Sequence, residues 1–292
     1  MDRRTLLIAG VLSGLPRSGA LAGSLAGKLQ RNSLKYLASL QNSDGGFRAG
    51  AADGPSSLGP TTSCLRGLRY QGGRTPNRDD ILRFLAGCRD HATGGFGDVP
   101  GSPADVRSTA VGLMALVELK VPLVPYEAPL TQFLSTRAKG LPEFYISAAA
   151  LESAGWTTPQ AQRWLAEWEA TRNADGSYGK GPADTAGAVI ITLRLGGTFR
   201  DPEGALRILK PAQKPDGGWA AGGDASDLST IYRVMRCLHM LQSKPDLERL
   251  KTFVGRCRNP DGGYGLSPGT PSAAGPSYYA AIVLHWIEEM ER

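Results

Sequence analysis

A helical pattern that recurs six times along the chain limits the fold more than any other feature of the sequence. Each copy has mostly apolar residues at offsets 0, 3, 4 and 7, the spacing of one face of an α-helix. The copies end at residues 41, 88, 137, 168, 213 and 257, so their spacings are 47, 49, 31, 45 and 44 residues. Repetition over such distances indicates one helical unit that stacks on its own copies.

A glycine turn that ends in an aromatic residue follows the first helix in five of the six copies. These turns are Asp44 to Phe47, Thr93 to Phe96, Asp175 to Tyr178, Asp216 to Trp219 and Asp261 to Tyr264. Because glycine tolerates positive φ, such a turn can end the helix and reverse the chain. We expect each aromatic side chain to fill a slot between neighbouring repeats. A phosphate-binding loop is excluded, since no strand precedes the glycines and no Gly-Lys-Ser/Thr follows them.

A second helix in each copy is more apolar all round than the first, which indicates a buried position. The second helices are predicted at about 60–70, 105–120, 144–155, 184–196, 227–242 and 277–290. In the third copy the loop and glycine turn are missing between Arg137 and Tyr145, so the wall there should be lower or the mouth more open. The sequence therefore predicts an all-α fold, an α/α toroid of six outer/inner helical hairpins. An open solenoid is the alternative; the near-uniform period and the absence of polar capping repeats favour closure.

The N-terminal segment resembles a twin-arginine export signal. Arg3-Arg4 precedes a short apolar stretch, and small residues at 20–22 and 24–26 offer two cleavage sites. The hypothesis is that residues 1–26 are an export signal and residues 27–292 form the toroid of a bacterial periplasmic or extracellular protein. The alternative is an ordinary amphipathic first helix.

The composition excludes several classes of partner and site. The net charge is +6, but the basic residues are scattered, which argues against nucleic-acid binding. No apolar run reaches the ~20 residues of a membrane-spanning helix. The four cysteines, Cys64, Cys88, Cys237 and Cys257, lie in helical apolar patterns without a Cys-x-x-Cys pair. We expect buried thiols rather than a thiolate metal site, while disulfides stay open in an oxidising compartment.

The second copy carries a resemblance to a known family. Leu85 to Asp90, then Thr93 to Phe96, Pro100-Gly101 and Asp105, is similar to a repeat of Rab-type geranylgeranyltransferase β subunits. Asp105-Val106-Arg107-Ser108 resembles the opening of an inner helix in farnesyltransferase β subunits. More broadly, residues 30–290 resemble the repeats of protein prenyltransferase β subunits and of squalene and other terpene cyclases. The resemblance implies the toroid fold, but this fold carries several chemistries.

The sequence lacks the two catalytic motifs that the resemblance would imply. Prenyltransferase β subunits bind zinc through Asp-x-Cys and a His at the starts of successive inner helices. Here Ala186 stands at the Cys position and Thr230 at the His position, so no metal and no other cofactor is expected. Squalene-type cyclases use Asp-x-Asp-Asp-Thr-Ala as an acid; here Asp184-Thr185-Ala186 lacks the acidic partners. Catalytic residues stay unassigned, and any catalysis would be of a prenyltransferase-like transferase type.

The candidate ligand site lies at the end of the toroid where the inner helices begin. The residues predicted to gather there are Asp105, Arg107, Tyr145, Asp184, Asp227, Tyr232, Arg233 and Tyr278. Small residues at 148–150 and 187–189 would leave room for an apolar central pocket. We expect an isoprenoid-type or other apolar small molecule, with Arg107 as the main anchor of an anionic head group. The alternative for these residues is that they lie at the rim and only pair with one another. The competing function is that of a non-catalytic scaffold for a protein or peptide partner.

Overall fold

The computed structural model describes residues 25–50 and 54–292, and these form outer and inner helices in strict alternation. The outer helices are α1 (Leu25–Ser39), α3 (Arg78–Cys88), α5 (Glu127–Arg137), α7 (Ala161–Glu169), α9 (Pro202–Leu209) and α11 (Leu247–Arg256). The inner helices are α2 (Leu58–Tyr70), α4 (Val106–Glu118), α6 (Gly140–Ala154), α8 (Pro182–Arg194), α10 (Leu228–Met240) and α12 (Ala274–Glu291). A 3-10 turn, Val124–Tyr126, precedes α5. Residues 1–24 of the predicted export signal lie outside the described residues.

The six inner helices form a closed ring. Each packs against the inner helix before it and the one after it, and α12 packs against α2. A backbone hydrogen bond also joins the sixth repeat to the first, since Ala274 N donates to Ala49 O at 2.8 Å. Within the described part of the chain, β-structure is limited to isolated bridges. The predicted α/α toroid of six hairpins is thus confirmed, and the open solenoid is not what the chain adopts.

Four of the five glycine turns lie against the next outer helix around the ring. The first glycine of each turn has positive φ, for example Gly94 at 76°, Gly217 at 96° and Gly262 at 92°. A Cβ on Gly217 would collide with the carbonyl oxygen of Arg249, and one on Gly262 would lie 2.5 Å from that of Asn32. In these two repeats the turn therefore touches the backbone of the following outer helix, and only glycine fits there.

The aromatic residues that end the turns are buried, as predicted. They are Phe47, Phe96, Tyr178, Trp219 and Tyr264. In four repeats the backbone N–H of this residue donates to a hydroxyl on the inner helix; Phe96 N, for instance, donates to Thr109 Oγ1 at 2.9 Å. The aromatic residue thereby ties the turn to the inner ring.

Glycines within the inner helices face outward, which corrects one expectation. A Cβ on Gly187 would lie 2.7 Å from Cη2 of Trp168, and one on Gly112 would lie 2.8 Å from Cγ of Phe96. Gly187 was expected to leave room at the centre of the ring. It instead allows α8 to approach the outer helix α7 closely.

The third repeat leaves a gap in the rim. Only Ala138 and Lys139 separate α5 from α6. At three other inner helices the loop of the following repeat caps the helix start; for example, Leu58 N donates to Asp98 O at 2.8 Å, and Leu228 N to Leu266 O at 2.9 Å. Among the described residues, no such bond reaches Val106 at the start of α4. The lower wall predicted at this repeat is confirmed.

Candidate functional site

The mouth is the end of the ring where the inner helices begin. Two of the predicted site residues at the mouth are helix caps. Asp105 Oδ1 accepts from Ser108 N at 2.8 Å, and its Oδ2 accepts from Ser108 Oγ at 2.6 Å. Asp227 accepts from Ser229 N and Thr230 N, both at 2.9 Å. Side chains in this role satisfy backbone donors that the first helical turn leaves free. Both carboxylates are therefore occupied by their own helices.

Asp184 lies in the first turn of α8, beside a guanidinium group. Its Oδ2 accepts from Lys180 N at 3.0 Å, and its Oδ1 is 4.0 Å from Arg233 Nη1. The side chain is 41% exposed, so water reaches it. A carboxylate open to water, bonded to a backbone amide and 4.0 Å from an arginine, does not resemble the buried carboxyl group of a general acid.

Arg107 stands exposed on the first turn of α4, where the rim is lowest. Among the described residues it has no ion-pair partner within 4.0 Å. Its charge nevertheless acts across the mouth: burial raises the pKa of Tyr279, and the charges of Arg107 and Arg233 oppose that rise. Arg107 is therefore near enough to Tyr279 for its charge to act on that hydroxyl group.

The predicted tyrosines meet on the axis of the ring. Tyr278 Oη donates to Tyr232 Oη at 3.4 Å, and the ring of Tyr232 stacks on that of Tyr279 at 4.9 Å between centroids. The ring of Tyr145 lies between two guanidinium groups, 5.1 Å from that of Arg194 and 4.9 Å from that of Arg233. The structure thus brings four of the predicted residues together, namely Tyr145, Tyr232, Arg233 and Tyr278.

Charged side chains fill the axis further from the mouth, and the sequence analysis did not identify them. Arg66 Nε and Arg69 Nε lie 3.3 Å and 2.7 Å from the Glu118 carboxylate. Around the ring, Arg194 Nε and Arg236 Nη2 lie 2.9 Å and 3.5 Å from Glu152 Oε2. We call these residues the charged layer: Arg66, Arg69, Glu118, Glu152, Arg194 and Arg236.

The charged layer changes the expected character of the centre. Aromatic and charged side chains line the axis, rather than the small apolar residues that the sequence predicted. The side chain of Glu152 is 27% exposed and that of Arg66 is 19% exposed although both stand on inner helices, so water reaches the charged layer; we call the space along the axis the channel. A signal was present in the sequence, since arginine and glutamate recur within otherwise apolar inner helices.

The positive charges perturb the tyrosines unequally. Burial raises the pKa of Tyr278 well above its ordinary value, although Arg66 opposes the rise. Burial would also raise the pKa of Tyr232, but Arg66, Arg194, a hydrogen bond from Tyr278 and Arg236 together outweigh it and lower that pKa. The lowered pKa of Tyr232 is thus consistent with a positive potential from the surrounding guanidinium groups.

Two of the three histidines, His239 and His285, lie on inner helices far from the mouth. His239 Nε2 is 2.8 Å from Glu289 Oε2, and His285 Nε2 is 3.3 Å from the other oxygen of the same carboxylate. His91 is exposed in an outer turn. In the described part of the chain, no group of three or more histidine, cysteine, aspartate or glutamate residues is arranged to hold a metal ion. All four cysteines are free and buried, as expected.

None of the helices in residues 25–50 and 54–292 combines the length and apolar character that crossing a bilayer requires.

Comparison with known sequences identifies a family. The model of the prenyltransferase alpha-alpha toroid domain matches residues 4–85, 61–136 and 131–292. Drimenyl diphosphate synthase of Streptantibioticus cattleyicolor is 30% identical over 263 residues, which cover 77% of this chain and 48% of that protein. The chain therefore spans about half the length of this curated relative.

Comparison with solved structures supports the same architecture. Candida albicans protein geranylgeranyltransferase-I, complexed with GGPP, superposes with a TM-score of 0.66 at 14% identity and covers 88% of this chain and 90% of its own. A variant of the type II terpene cyclase MstE from Scytonema, in complex with geranylgeranyl dihydroxybenzoate, gives a TM-score of 0.61 at 13% identity. That match covers 90% of this chain and 97% of the cyclase chain. At these identities the likeness shows a shared fold.

Proposed function

Because this chain belongs to the prenyltransferase alpha-alpha toroid family, we propose that it binds an isoprenoid-type ligand in its central channel. The apolar tail would lie along the tyrosines on the axis. The anionic head group would lie at the mouth, between Arg107 and Arg233. Two structures of similar fold hold ligands of this kind, GGPP in one and geranylgeranyl dihydroxybenzoate in the other.

The position of Arg107 is the observation that carries this proposal. It is exposed beside the gap in the rim, its charge acts on Tyr279, and it has no ion-pair partner among the described residues. Arg233 is 35% exposed, and its contact with Asp184 is long at 4.0 Å. Guanidinium groups make strong charge-assisted hydrogen bonds to phosphate oxygens, and the starts of α4 and α10 add a favourable helix dipole.

The aromatic rings suit the tail of such a ligand. Tyr232 contacts Tyr278, Tyr279 and Trp286 with ring centroids 4.9 to 5.8 Å apart. Rings of this kind present apolar faces to a ligand and keep their hydroxyl groups for water or each other. An unsaturated hydrocarbon chain therefore finds apolar contact without leaving these hydroxyls unpaired.

We further propose that the ligand binds without the zinc site of the prenyltransferases and that the protein is exported. Ala186 and Thr230 supply no thiolate or imidazole at the expected positions, and Asp184 faces an arginine. We assign no catalytic step to these residues. Elemental analysis of the purified protein checks the zinc part, which one zinc per chain would contradict. Export follows from the twin-arginine-like segment at residues 1–26 and is checked by fractionating cells that express the full chain.

A calorimetric titration with a non-hydrolysable geranylgeranyl diphosphate analogue tests the proposed function. Arg107→Ala should weaken binding by about 1.5–3 kcal/mol, the range for hydrogen bonds to charged groups. Arg163→Ala is the matched control, because Arg163 is an exposed arginine on the outer helix α7. If the intact protein does not bind the analogue, or binds it equally well after Arg107→Ala, the alternative of a non-catalytic scaffold for a protein or peptide partner is the better account.

A further inference from the structure

Positive charge is concentrated on two neighbouring outer helices, α1 and α11. Helix α1 carries three lysine or arginine residues and no acidic residue, whereas α11 carries three and one glutamate. The two helices therefore hold a net charge of +5, while the whole chain has +6. Among the other outer helices, α3, α5 and α9 are neutral and α7 has −1. One side of the outer wall is thus far more positive than the rest.

Ring closure brings these two groups of charges together. Arg258 Nη2, in the turn that follows α11, donates to Leu29 O of α1 at 3.0 Å, and Ser33 Oγ donates to Gly262 O at 2.8 Å. Each of these contacts spans 229 residues. The charges are therefore scattered in the sequence but form one surface in the fold. We call the cations along this junction the basic wall: Lys28, Arg31, Lys35, Arg256 and Arg258.

Four cations of the basic wall have no acidic partner among the described residues. Lys28 and Lys35 are exposed on one face of α1, and neither has a carboxylate group within 4.0 Å. Arg256 and Arg258 donate to backbone carbonyl oxygens at 3.1 and 3.0 Å, which carry no net charge. The two other cations of α11 pair with carboxylate groups, each at 3.2 Å, and are not part of the wall. Even with Asp261 of the turn included, the wall has a net charge of +4.

The side chains on these two helices indicate what kind of partner the basic wall fits. The aromatic residues of α1 and α11, Tyr36 and Phe253, are buried, whereas protein hot spots and single-stranded nucleic-acid sites use accessible aromatic rings. Leu29 is 38% exposed next to Lys28, and an apolar side chain among cations is typical of helices that lie at a membrane interface. Attraction to anionic lipid head groups is delocalised and needs no shaped pocket, so these features favour a lipid surface.

We propose that the basic wall docks the protein on the surface of a membrane that contains anionic phospholipids. Each lysine or arginine close to such a surface strengthens binding roughly fivefold. Because the cations are exposed, dissolved salt screens the attraction. The wall stands on the outer helices, so this docking does not depend on a ligand in the channel.

Cosedimentation of the full chain with vesicles tests the inference. We expect binding to vesicles of phosphatidylglycerol and phosphatidylcholine in equal parts, and release as the salt concentration rises from about 0.05 M to about 0.5 M. The double substitution Lys28→Gln and Lys35→Gln should weaken binding roughly tenfold or more. Lys139→Gln with Lys210→Gln is the matched control, since both lysines are exposed in other repeats and the net charge changes equally. Residues 1–24 are present in every variant, so their contribution cancels in this comparison.

Three results with vesicles would overturn the inference. They are absence of binding to the anionic vesicles, equal binding to vesicles of pure phosphatidylcholine, and an equal loss of affinity in the two double variants. Binding of a double-stranded DNA fragment without binding to vesicles would also overturn it, and would assign the basic wall to nucleic acid. Circular dichroism of both double variants checks that an altered affinity does not reflect a loss of helix.

Discussion

Gly187 on the inner helix α8 packs against Trp168 on the outer helix α7, and the position where a Cβ would stand on Gly187 faces the indole. A Cβ on Gly187 would lie 2.7 Å from Cη2 of Trp168, whose side chain is almost fully buried. The absence of a side chain on α8 therefore determines how closely α7 can approach.

Gly187→Ala is expected to destabilise the protein. Alanine is favoured over glycine within a helix by about 0.8–1.0 kcal/mol, but overpacking a close contact costs about 1–3 kcal/mol. The net loss in free energy of unfolding should be roughly 1 kcal/mol, measured by urea denaturation. Gly255→Ala is the control, since Gly255 lies in α11 with open space where its Cβ would be. That variant should be neutral or slightly more stable, and a shift of the same sign and size in both variants would contradict the packing argument.

Gly262→Ala should be more damaging than Gly269→Ala. Both glycines have positive φ, 92° and 80°, so both variants bear the cost of a left-handed backbone, about 1–2 kcal/mol. Gly269 has open space around it, whereas the Cβ on Gly262 would lie 2.5 Å from Asn32 O in α1. We expect Gly262→Ala to lose at least about 1 kcal/mol more in free energy of unfolding. Equal losses in urea denaturation would mean that the first and last hairpins do not touch as described.

Most of the fold could be predicted from the sequence because its information is local. The spacing of apolar residues identified outer and inner helices, and the short third repeat predicted the gap beside α4. The conformation of each glycine pair was harder. Positive φ falls on the first glycine, whereas the second is required by packing: a Cβ on Gly95 would lie 2.7 Å from the ring of Phe133. That contact comes from another hairpin, which local sequence does not reveal.

The site was predicted less completely than the fold, because its charges pair across the ring. Glu152 contacts Arg236, 84 residues away, and Arg194, 42 residues away. No sequence spacing marks such partners before the ring is closed. The mouth was partly predictable, since an aspartate before a helix is recognisable. That Asp105 and Asp227 serve as caps became clear only from their hydrogen bonds.

The free energy of unfolding should fall as the pH is lowered, partly because of His239. Burial lowers the pKa of His239 below its ordinary value of 6.5, although Glu289 opposes the shift. The unfolded chain therefore binds this proton more readily than the folded one, so folding loses stability as pH falls below about 6.5. His239→Gln should reduce the drop in melting temperature between about pH 7.5 and pH 5.5. His91→Gln, in an exposed turn, is the control, and an undiminished drop in His239→Gln would contradict the prediction.

The contact between the sixth and the first hairpin closes the ring, and it joins residues that are much farther apart in sequence than those in the contacts between other neighbouring hairpins. Forming it therefore costs more chain entropy. Ser33 Oγ donates to Gly262 O across 229 residues, whereas neighbouring repeats are joined over intervals such as the 33 residues between Gln213 and Asp246. Closing a loop costs about 0.6 kcal/mol more for each doubling of its length, so this junction is disfavoured by roughly 1.7 kcal/mol relative to the others. During folding it should therefore form late, after each hairpin has docked on the one before it.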